Sequence, residues 1–101
     1  MTLEQLYNRL AATGLPLVYG QFEDLPTPPY IVYVANGVNE FYADGRVYFS
    51  ATRVIVSLFT KCKDMQAEAT LETALLGLGY KKVETYYSDE KIYEITYELE
   101  V

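Results

Sequence analysis

Arg46 to Lys61 reads RVYFSATRVIVSLFTK. It is the longest stretch of strand chemistry in the chain: Val, Ile, Tyr, Phe and Thr dominate, and neither Gly nor Pro interrupts it. From Val54 to Phe59 both parities are mostly apolar, with Val54, Val56 and Leu58 on one and Ile55 and Phe59 on the other. A strand apolar on both sides is either covered on both sides or has one face waiting for a partner. Ile55 and Phe59 are therefore candidate interface residues. Aspartate at either position is expected to abolish folding or assembly, because an unpaired buried charge costs several kcal/mol.

Upstream of this stretch, Asp44-Gly45 is a turn signal. The tip Asp44-Gly45-Arg46 reads as a hairpin turn or, more sharply, as a partner contact through Asp44 and Arg46. Tyr30 to Ala35, YIVYVA, is a strand expected to pair antiparallel with Arg46–Lys61. Asn36-Gly37 predicts a further turn, since both residues tolerate positive φ. Val38 to Ala43, between the two turn signals, fits either a short strand or an extended loop. Before these lie a predicted first strand, Leu17 to Phe22, and the proline run LPTPP at Leu25 to Pro29. Its three prolines fix φ and lack N–H groups, giving a rigid connection or a recognition element.

The ends of the chain supply helices and a hairpin. Thr2 to Thr13 is a predicted helix. Thr2 and Gln5 have capping-box spacing, Leu3, Leu6, Tyr7 and Leu10 form its apolar stripe, and Gly14 and Pro16 close it. A second helix is predicted over Met65 to Leu78, with Asp64 as N-cap and Gly79 as stop. Its buried stripe is Ala67, Leu71, Ala74, Leu75 and Leu78, and small Ala67, Ala69 and Ala74 let it lie close to a sheet. Glu68 and Glu72 repel at i, i+4, which suits a solvated or partner-facing side. Tyr80–Tyr87 and Lys91–Val101 form a final hairpin across Ser88-Asp89-Glu90. In the last strand Tyr93, Ile95, Tyr97, Leu99 and Val101 alternate with Glu94, Thr96, Glu98 and Glu100, with Ile92 the exception. The expected architecture is α+β: residues 1–101 as one small domain, a mainly antiparallel sheet with two helices packed on one face.

Composition narrows the function classes. With 101 residues, one core is expected. There are 11 Tyr, 4 Phe and no Trp. So many tyrosines fit either a half-wet sheet with aromatic cross-strand pairs or an oligomer interface. A net charge of −6 argues against general affinity for nucleic acid. It is compatible with a channel through which DNA passes without sticking. Glu94, Glu98 and Glu100 form a wet strand face or, in a ring with that face inward, a lumen lining that repels phosphate. The lone Cys62 cannot form an internal disulfide, which suits a reducing compartment. No signal peptide or membrane-length apolar run is read, so the expectation is a soluble protein, cytosolic when made and without membrane contact.

Catalytic chemistry is sparse. The chain has no histidine, the commonest general base. Cys62 between Lys61 and Lys63 reads as a charged strand end before it reads as a nucleophile. Glu23-Asp24 and Asp89-Glu90 are sequence neighbours in turns and do not make the opposed carboxylates of a hydrolase. No Gly-rich phosphate loop or CxxC spacing occurs. The expectation is a non-enzyme with no cofactor and no metal.

Four phrases, PPYIVY (Pro28–Tyr33), FYADGRVYF (Phe41–Phe49), VSLFTKCKD (Val56–Asp64) and ETYYSDEKIYEITYELE (Glu84–Glu100), occur in an order and spacing that carry a resemblance. From about Pro16 to its C-terminus the chain resembles small tail-completion, or tail-terminator, proteins of siphophages and prophages of Gram-positive bacteria. The resemblance implies an α+β domain with helices on one side of a mixed or antiparallel sheet. It implies a ring, usually a hexamer, that docks on the finished tail tube of major tail protein, stops polymerisation and meets head-completion or connector proteins. The location implied is the virion's tail–head junction, after assembly in the host cytoplasm. Where relatives often carry Asp-Asn, this chain has Asp44-Gly45, which keeps the turn. Alternatives are another neck or head–tail joining protein, or a ferredoxin-like small-molecule-binding regulatory domain, which the missing ligand loop disfavours.

Overall fold

The computed structural model describes the backbone of every residue except 44 and 45, and the side chains of all except 38–50. Among the described residues there are two helices and five strands. They are α1 (Leu3–Ala11), β1 (Leu17–Tyr19), β2 (Tyr30–Ala43), β3 (Arg46–Thr60), α2 (Met65–Ala74), β4 (Tyr80–Tyr87) and β5 (Ile92–Glu100). The strands form one sheet in the order β1-β2-β3-β5-β4. Only the β1–β2 pair is parallel. The α+β architecture expected from the sequence is the one observed.

Both helices are capped as their sequences require. Thr2 Oγ1 accepts from the Gln5 N–H at 3.1 Å while Gln5 Oε1 accepts from the Thr2 N–H at 2.9 Å, completing the capping box. Asp64 Oδ1 accepts from the Ala67 N–H at 3.0 Å. α2 stops at Ala74, short of the predicted Leu78. The left-handed residue that follows is Gly77, at φ +87°, rather than Gly79.

Leu6 and Leu10 of α1, Ala67 and Leu71 of α2 and its C-cap Leu75 pack on one sheet face, against Ile31, Tyr33, Val54, Val56, Leu58, Ile95, Tyr97 and Leu99. Each fully buried aliphatic side chain contributes roughly 1.5–3 kcal/mol. The predicted stripes are only partly sealed: Tyr7 is exposed and Ala74 half-buried, while Leu78 packs on the core from beyond the helix end; Ala69, expected to lie close to the sheet, is exposed.

The sheet departs from expectation in two places. β1 ends at Tyr19, short of the predicted Phe22, where Gly20 takes φ +88°. Asn36-Gly37 does not reverse the chain. β2 runs on through it to Ala43, and between the pairs Ala35↔Val54 and Val38↔Thr52 two residues of β2 oppose Arg53 alone. This is a β-bulge with Gly37 at φ +107°. Positive φ serves a bulge as well as a turn, which is why the dipeptide misleads. Val38–Ala43 is thus strand, paired with Arg46–Thr52. The predicted final hairpin forms, and β5 lies between β3 and β4, an order the sequence left open. β3 and β4 are each antiparallel to β5, hence parallel to each other, and α2 supplies the crossover that such strands need.

β5 pairs with β3 only as far as Arg53, and Val101 bonds Thr52. Beyond that point β2 and β3 pair only with each other among the described strands. They form a two-stranded arm there, and the molecule measures 50 × 28 × 26 Å.

Candidate interaction face

The helices cover one face of the sheet. On the other, register fixes neighbours. Ile55 lies between Val34 and Glu98, Ser57 between Val32 and Thr96, and Phe59 between Tyr30 and Glu94. Arg53 stands opposite Glu100. This face is therefore split lengthwise, mostly apolar on β2 and β3, with Ser57 and Arg53 the exceptions, and acidic on β5, where Lys81 of β4 stands opposite Glu98. Ile55 and Phe59, and the row Glu94, Glu98 and Glu100, predicted as separate sites, are adjacent columns of one surface. Ile55, Phe59 and Glu94 are half-buried, and Glu98 and Glu100 are exposed.

Arg46 is not brought to this surface. It is the first residue of β3, paired with Ala43 at the far end of the arm. Nine residues of strand separate it from Ile55, on the order of 30 Å. Asp44 lies outside the described residues.

At the end of the face remote from the arm, aromatic packing organises the surface. The Tyr30 and Phe59 rings stack with centroids 5.0 Å apart, and Phe22 meets Tyr30 edge-on at 5.5 Å. Tyr87 donates its O–H to Glu94 Oε1 at 2.6 Å. That bond, then the Glu94 charge, holds the Tyr87 phenol above its ordinary pKa. Burial, then the same carboxylate, raises Tyr30. The connection from β1 to β2 overhangs this region, and its Pro26 and Pro28 line a cleft there.

A second polar cluster lies on the helix side, where the sequence reading placed none. Glu68 is 5% exposed and pairs with Lys63 and Lys82, each at 3.0 Å. Glu72 pairs with Lys82 at 3.0 Å and accepts from the Tyr97 O–H at 3.1 Å and the Tyr80 O–H at 3.2 Å. Glu68 and Glu72 thus face the sheet rather than solvent, because two lysines and two phenols outweigh their mutual repulsion. The signal was in the periodicity. Glu68, Leu71, Glu72 and Leu75 share one helical stripe, and Lys82 alternates in phase with core-facing Tyr80. Burial pushes both carboxyls up, but the ammonium hydrogen bonds win and hold them below the ordinary range. For Tyr97, burial and then the Glu72 carboxylate push the phenol far above its usual value.

Cys62 is exposed, and its neighbour Lys63 is committed to Glu68 and Glu84. Among the described residues no group of acidic and cysteine side chains could hold a metal ion, and no helix is long and apolar enough to cross a membrane. Compared with known proteins, the chain matches no family model and no curated protein.

Proposed function

We propose that this chain is a virion structural protein that forms a ring on the end of a phage tail tube, without catalysis. The ring, favoured as a hexamer, ends polymerisation of the major tail protein and docks to head-completion or connector proteins at the tail–head junction. It assembles in the host cytoplasm.

The observation that carries this reading is the open sheet face. Val32, Val34, Ile55 and Phe59 lie on the side that neither helix covers, so their apolar surface is available to another copy of the chain. The arm supports it as well. A two-stranded hairpin is marginal by itself, and this one carries Val38, Phe41, Tyr42, Val47, Tyr48 and Phe49, which favours packing on a neighbour. With the apolar columns of β2 and β3 closed on a neighbouring copy, the acidic column beside them, Glu94, Glu98 and Glu100, is left to border the lumen, a negative lining past which DNA slides.

Native mass spectrometry across a concentration series tests the proposal. A monomer–hexamer mixture is expected, with the ring favoured at high concentration or by added tail tubes, and the ring does not retain DNA at physiological salt. A tight, concentration-independent dimer, or a ring that holds DNA firmly, overturns it.

A further inference from the structure

Two clefts on the open face share Leu25, Tyr30 and Phe59 and together make one trough. One, about 480 Å³, lies between the proline connection and the β4–β5 turn, with Tyr30, Phe59 and Ile92 among its lining and Tyr87 and Glu90 on the turn side. The other, about 600 Å³, continues past Val32 and Val34 to Glu23 and Glu94. Both are within the size range of sites that take a small group. Leu25 is 73% exposed at the lip, an apolar side chain with no core to enter.

The trough's charge is one-sided. Three carboxylates line it, Glu23, Glu90 and Glu94, and no described lysine or arginine does. None of the three is ion-paired among the described residues. Glu94 uses Oε1 to accept from Tyr87. An apolar, aromatic trough with uncompensated acids along it is complementary to an apolar segment that carries a positive charge. A guanidinium suits it better than an ammonium. It is planar and weakly hydrated, lies flat on aromatic carbon, and offers paired N–H donors to a carboxylate.

We propose that this trough docks an arginine-bearing apolar segment of a partner polypeptide, the guanidinium lying against the half-buried Phe59 and pairing with Glu94. The trough is lined by residues of one subunit and shares Val32, Val34 and Phe59 with the surface offered to another copy, so the segment docks on the free subunit and competes with ring closure; the inference does not depend on the ring.

The test uses blocked tripeptides, N-acetylated and C-amidated, of sequence Leu-Arg-Leu and Leu-Gln-Leu, titrated into the full ¹⁵N-labelled chain in dilute solution. The arginine peptide is expected to shift the amides of Tyr30, Phe59, Tyr87 and Ile92, and to bind at least about tenfold more tightly than the glutamine peptide. The triple variant Glu23→Gln, Glu90→Gln, Glu94→Gln keeps the hydrogen-bond acceptors and is expected to erase that preference. Leu25→Ser, a change at an exposed position outside the core, is expected to weaken both peptides. Equal binding of the two peptides, shifts confined to other surfaces, or an arginine preference that survives the triple variant overturns the proposal. Because these readouts are taken on single subunits, failure here leaves the ring proposal standing, and the converse also holds.

Discussion

Glu68 shows how one side chain can tie a helix to a sheet edge. Its carboxylate is nearly sealed from water, a position that is costly for an unpaired charge, yet Lys63 and Lys82 each approach to 3.0 Å. Glu68→Gln keeps the shape and removes the charge. Lys63 retains Glu84 and Lys82 retains Glu72, and both ammonium groups reach solvent, so the loss is expected to be moderate, about 1–2 kcal/mol in urea unfolding. The pH dependence has a definite sign. Glu68 and Glu72 titrate below their ordinary value of 4.5 when folded, so the unfolded chain binds protons first as pH falls. Their contribution is complete above that value and lost as pH drops through the lower folded values. The lysines act oppositely. Lys63, through the bonds it donates to Glu68 and Glu84, is raised, and for Lys82 burial pulls the ammonium down but the bonds it donates to Glu68 and Glu72 outweigh that and raise it, so their contribution persists until pH exceeds their ordinary 10.5. The urea midpoint should therefore decline from neutral pH to acid, and Glu68→Gln with Glu72→Gln should flatten that decline. An unchanged slope would mean that other carboxylates dominate.

Among the elements, the β2–β3 hairpin depends on its bulge. Gly37 sits at φ +107°, where side chains are rarely found, and an added Cβ would lie 3.2 Å from Arg53 Nη2. The arginine tip can move aside, so the backbone sets the cost. Gly37→Ala is expected to lower stability by about 1–2 kcal/mol, read as a lower thermal midpoint, with hydrogen-exchange protection lost first in the arm. Asn36-Gly37 also marks the limit of what the sequence discloses. Positive φ was legible there, but whether it closes a turn or makes a bulge depends on the pairing beyond it. Features written in local chemistry were readable: the Thr2–Gln5 box, the Asp64 cap, and the alternation from Tyr93 to Val101 that gives β5 its two faces. The insertion of β5 between β3 and β4 was not, because it depends on how α2 crosses the sheet. The parallel pairing of the short strand β1 was also hidden. The candidate face was half legible: Ile55, Phe59 and the glutamate row could be named, while their side-by-side register required the sheet order.

At the scale of the whole molecule, that register changes what a charge at Ile55 should do. Ile55 is half-buried and stands directly opposite Glu98, so aspartate there places like charges across a strand pair. The position lies outside the core cluster, and the helices pack on the other face. Ile55→Asp is therefore expected to leave a folded subunit, destabilised by about 1 kcal/mol, while abolishing assembly. Ile55→Lys separates the two effects. Lysine pairs with Glu98 and spares the fold more than aspartate does, yet it puts an ammonium into an apolar contact and should also block ring formation. Circular dichroism reports the subunit and sedimentation reports the assembly. Folded but non-associating variants at both charges support a ring closed through this face. If Ile55→Lys associates as the unmodified chain does, closure lies elsewhere, and the arm becomes the element to test.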